Sequence, residues 1–163
     1  MESLPAFFRA ETYHPLTVHF PIVLLLLATV LQLLQPWIKA QKLWLKLSAG
    51  ILWAGTAAAW LAIYTGDQAD GLVSRTLCDP TILKAHENAA YVTGYLSLAG
   101  SLLLGLRLWN RWPALHRWAY ALTVALLLTG SGYLTYVGHQ GAKLVYQQAA
   151  GVYVPAEDCK EWE

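Results

Sequence analysis

The sequence predicts an all-α integral membrane protein, a four-helix bundle running up-down-up-down with both termini on the periplasmic side. Three observations predict it. Four long apolar runs carry no charge, cations and acids are sorted to opposite ends of those runs, and four of the five histidines stand at run ends that share one side. With 56% hydrophobic and 13% charged residues, composition alone would also fit a soluble helical protein, so run length decides. A membrane span needs about 20 mostly apolar residues.

The first span is expected near 15–35, because Leu16 to Leu34 is uncharged. It begins with His-Pro, follows an arm whose one side-chain cation is Arg9, and outruns a typical signal h-region, so it is expected to stay in the mature protein. Leu47 to Thr65 gives a second span near 44–65. Tyr91 to Leu106, lengthened outward through His86, gives a third near 83–107, and Trp118 to Val137 a fourth near 114–140. Residues 1–163 then form one domain with a central loop and a C-terminal tail outside the membrane.

Orientation follows from Lys and Arg, which concentrate on the cytoplasmic side. Lys39, Lys42 and Lys46 connect the first two spans, Arg107, Arg111 and Arg117 the last two, with no acid among them. All ten acids lie in the N-terminal arm, the central loop region and the tail. The chain is therefore read as a bacterial inner-membrane protein, N-out and C-out, with Trp37, Trp44, Trp109, Trp112 and Trp118 as an inner interfacial belt. A net charge of +1 without a basic run gives no footing for nucleic acid.

Cys78 and Cys159 fall in the same outer compartment, where a disulfide is the natural outcome. It would close a loop of about eighty residues and contribute on the order of 4 kcal/mol. The alternatives are two thiols or a pair of metal ligands, although CxxC spacing is lacking.

The histidines carry the functional reading. In HPLTVHFPI, Pro15 suits the first helical turn and makes His14 a cap. His19 lies five residues on, about 140° around the axis, so His14 and His19 face different partners. Pro21 removes another backbone donor and keeps this end irregular. His86 opens the third span and His139 closes the fourth, so the four imidazoles share one outer layer. His116 lies on the inner side among Arg and Trp and reads as interfacial.

Intramembrane ionisable residues mark a site by default. Haem iron takes axial His, and a bundle holds a porphyrin where small residues make room. Gly94 lies below His86, and Gly130, Gly132, Gly138 and Gly141 surround the approach to His139. One or two b-type haems fit this pattern, with axial pairs such as His19 with His86 and His14 with His139. A bare copper, zinc or non-haem iron ion bound by imidazoles with Glu87, Asp67 and Asp70 is the competing reading. A third is structural, with histidines and acids capping helix ends.

HPLTVHFPI opening a first membrane helix, an AH at the start of the third and a GHxGxxLVY ending the fourth are similar to the bacterial membrane-protein family filed as domain of unknown function 2231. The likeness covers nearly all of the chain. Family members continue to a GG pair and a second His, where this chain has Gly141-Ala142 and Gln147-Gln148. The relatives' frequent association with c-type cytochrome or Rieske-type domains implies redox work. Carried over are His14, His19, His86 and His139.

The expected function is electron transfer at the outer face, exchanging electrons with quinol or with a periplasmic cytochrome c or Rieske-type partner, within a larger complex or homo-oligomer. Asp67 and Glu87 are placed to handle protons, and Asp70 is read as an ordinary loop acid. A cofactor-free scaffold subunit and a transporter are the rivals. No nucleophile elbow, P-loop or HExxH supports a stand-alone enzyme.

Overall fold

The computed structural model describes residues 9–109 and 116–152. Within them the chain forms helices α1 (Ala10–Thr17), α2 (His19–Leu34), α3 (Gln41–Val73), α4 (Pro80–Trp109) and α5 (His116–Gln148), and no strand. Four helical stretches, Ala10–Trp37, Gln41–Thr76, Pro80–Trp109 and His116–Gln148, are long and apolar enough to cross a membrane. The protein is an all-helical membrane protein, and neighbouring helices run antiparallel. Thr17 meets Thr65 while Gln32 meets Ser48, and Trp53 meets Ser101 while Asp67 meets Tyr91.

The first stretch is cut at Val18. Pro21 has no N–H for the Thr17 carbonyl and its ring crowds that carbonyl, so α1 and α2 are separate pieces. The irregularity read from Pro21 is thus one missing bond at Thr17 O, while the Val18 N–H still reaches His14 O and the Ile22 N–H reaches Val18 O.

The helices are longer than the apolar runs. α3 continues to Val73 and a 3-10 turn, Ser74–Thr76, while α4 already starts at Pro80. The Asp79 carboxylate caps α4, accepting the Thr81 N–H at 2.9 Å and its hydroxyl at 2.6 Å, with Pro80 at the first helical position. The expected central loop shrinks to residues 77–79. Asp67 and Asp70 sit on α3 and Glu87 on α4, because polar side chains end an apolar run without ending a helix. α5 similarly runs past 140 to Gln148 and closes in an αL cap, with the Ala149 N–H on Val145 O, and the Ala150 N–H reaches back to Leu144 O. The Gln148 amide clasps both the N–H and the C=O of Asp79, tying the end of α5 to the start of α4. Cys78 is exposed in the 77–79 turn, and Cys159, its expected disulfide partner, lies outside the described residues.

Inside, Leu25, Ala28, Ala49, Leu52, Ala59, Leu104 and Leu127 form the core. Small residues let the backbones approach, as membrane helix pairs require. A Cβ on Gly55 would stand 3.0 Å from Leu24 Cβ, so α2 and α3 touch there almost backbone to backbone. The outer surface carries Phe20, Val23, Leu61 and Leu102, each more than half exposed, which suits hydrocarbon.

Candidate functional site

Two histidines meet at the acid-bearing end. His14 from α1 and His86 from α4 face each other edge to face, with ring centroids 5.9 Å apart and planes at 88°. His14 Nδ1–H donates to Ala62 O on α3 at 2.9 Å, and His86 Nδ1–H donates to Val137 O on α5 at 3.0 Å. A carbonyl can only accept, so these bonds place the proton of each neutral ring on Nδ1 and leave Nε2 with its lone pair. Metal-binding imidazoles are oriented by the same outer hydrogen bond.

Each ring is seated by the same local device. The accepting carbonyls belong to residues 62 and 137, and the residues four places on are Gly66 and Gly141. In a helix the side chain at that place overhangs the carbonyl's outer lone pair. A Cβ on Gly66 would lie 3.1 Å from His14 Cε1, and one on Gly141 would lie 3.3 Å from His86 Cε1. These glycines make room for imidazole rather than for a cofactor. Gly94, expected to clear a porphyrin, instead packs on Ile63 and Trp60.

The pair lines a cavity of about 390 Å³, within the usual range for small-molecule sites. Its walls are mostly apolar, with Pro15, Val18, Leu25, Ala59, Leu134 and Val137 among them. Glu11, Asp67, Asp70 and Glu87 also line it. Three of these carboxylates are held: Glu11 lies 3.4 Å from Arg9, Glu87 is 2.8 Å from Lys84, and Asp67 accepts the Tyr91 hydroxyl at 2.9 Å. Arg9 also donates to Gly151 O, which draws the segment after α5 against the N-terminal side of the cavity. Tyr91 continues into an aromatic group with Trp60 and Tyr95.

His19 and His139 do not join. Both are exposed on the outside of the bundle, so the structure brings together neither His19 with His86 nor His14 with His139, and the two rings that meet are His14 and His86. The 140° separation of His14 and His19 is the reason: one points in, the other out. His116 lies at the opposite end. Among the described residues no three His, Cys, Asp or Glu side chains gather around a common point, so Asp67, Asp70 and Glu87 do not complete a bare-metal shell with the imidazoles. Two neutral imidazoles with free Nε2 atoms do match the axial donor set of a haem iron. Sequence reasoning passed over Gly66, whose signal was its place four residues after a carbonyl at the level of His14.

Residues 10–153 match the family model described as a predicted membrane protein (DUF2231). No curated protein and no solved structure matches the chain.

Proposed function

The chain belongs to the DUF2231 family of predicted membrane proteins, and from that premise we propose that it is a b-type cytochrome-like electron-transfer subunit holding one haem between His14 and His86. The observation that carries this reading is the facing imidazole pair with both Nδ1–H groups committed to backbone carbonyls. One haem is proposed because one pair converges. When bound, haem supplies one-electron redox chemistry. The chain's residues orient the axial nitrogens, exclude water with an apolar wall, and place Asp67 and Glu87 on that wall to exchange protons.

The sorting of Lys and Arg supports a bacterial inner-membrane location with both termini and this cavity on the periplasmic side. Partners there are quinol and a periplasmic cytochrome c or Rieske-type protein. Since no second imidazole pair converges in the other half of the described bundle, electrons crossing the bilayer would need another subunit.

The test is a dithionite-reduced minus air-oxidised spectrum of purified protein, with a pyridine haemochrome assay for haem per chain. The expected result is a b-type spectrum at one haem per chain, lost in His14→Ala and His86→Ala and kept in His19→Ala and His139→Ala. A colourless protein after haem-supplemented expression would sink the reading, and loss in His19→Ala would sink the assigned pair.

A further inference from the structure

We infer that the opposite, cationic end holds a separate site at which Arg107 binds the phosphate of an anionic glycerophospholipid. Among the described residues Arg107 is the charged group built furthest into that end. Its Nη1–H donates to Gln35 Oε1 at 3.1 Å, its guanidinium lies 5.0 Å over the Tyr120 ring, and its Nε is buried with no acceptor. The supports are themselves fixed. Tyr120 donates its hydroxyl to Gln32 O, and Gln32, fully buried, donates its amide to Ser48. Three helical segments thus hold one half-buried guanidinium in place.

Among the described residues no carboxylate answers this charge. The acids among the described residues, Glu11, Asp67, Asp70, Asp79 and Glu87, all belong to the other end of the bundle. Taking a cation out of water is costly, and neutral partners such as Gln35 and a ring face offset only part of it. An anion at the headgroup level completes the set, and a phosphate diester offers two oxygens at the spacing of the guanidinium fork. The level is marked by Trp37, Trp109 and Trp118, which are 76%, 65% and 74% exposed. Lys39, Lys42, Lys46 and Arg117 are exposed around it and raise the local concentration of anionic lipid.

The inference does not depend on haem. Delipidated protein in neutral detergent is titrated with phosphatidylglycerol, phosphatidylcholine or millimolar inorganic phosphate, and read by native mass spectrometry and thermal unfolding. The expected result is a retained phosphatidylglycerol adduct and a raised melting temperature, absent with phosphatidylcholine and with free phosphate. Arg107→Gln abolishes the adduct, Arg75→Gln, exposed at the opposite end of the bundle, keeps it, and Arg107→Lys, which keeps charge but loses the fork, weakens it about tenfold. If Arg107→Gln does not fold, Arg107→Lys decides. Equal retention of the two lipids, an equal effect of free phosphate, or an Arg107→Lys protein that matches wild type would each overturn the proposal.

Discussion

The two imidazole seats use one device in two settings. His14 and His86 each donate Nδ1–H to a helix carbonyl whose overhanging residue is glycine. They differ in what carries the ring. His86 sits in the 30-residue α4, capped by Asp79 and clasped through Gln148 to the end of α5. His14 sits in the eight-residue α1, cut from α2 at Val18 and held at its start by the Arg9 contacts to Glu11 and Gly151. The α1 seat is also tighter, with a Gly66 Cβ reaching 3.1 and 3.2 Å from two ring atoms against 3.3 and 3.6 Å at Gly141. A ring on a long, clasped helix can accept a looser pocket, whereas one on the short piece before the Val18 break is positioned by closer contact.

The largest effect expected follows from that asymmetry. Gly→Ala in a helix gains roughly 0.5–1 kcal/mol from backbone entropy, and overpacking costs about 1–3 kcal/mol. Gly66→Ala should therefore destabilise and displace His14, Gly141→Ala should come out near neutral, and Gly132→Ala, with nothing within 4 Å of the added Cβ, should stabilise. Thermal unfolding in one detergent gives the three signs. Equal effects at 66 and 141 would break the comparison.

What the sequence made legible was the membrane architecture and the end of the bundle at which His14 and His86 lie. Uncharged runs and sorted charges are local features. Which histidines meet was less legible, because it depends on helix rotation and on the α1–α2 break. The 140° angle already separated His14 from His19, yet the inward member of the two is fixed by α3 offering Ala62 O beside Gly66. Helix ends were misplaced for a related reason. Asp67 and Asp70 end an apolar run, but α3 continues past them to Val73.

A smaller effect probes the frame of the His86 side. Ala149 takes a φ of 51° at the C′ position of the αL cap, where a Cβ costs about 1–2 kcal/mol. Ala149→Gly should stabilise the protein by about 1 kcal/mol and leave the His14 seat unchanged. A drop in melting temperature would show that the end of α5 is held by side-chain contacts rather than by its cap.

The smallest effect is a pH dependence at the other half of that clasp. Bonds from the Thr81 hydroxyl and N–H hold the Asp79 carboxyl below its ordinary value of 3.8. A carboxyl depressed in the folded state stabilises above its unfolded pKa, and that contribution is lost as pH falls through the lower, folded value. Wild type should therefore lose a little melting temperature on acidification below about pH 4, beyond what Asp79→Asn loses. Asn still caps a helix without titrating, so the difference between the two curves isolates the carboxylate. Coincident curves would mean that the Gln148 clasp, which uses only the Asp79 backbone, holds the start of α4 without help from the side chain.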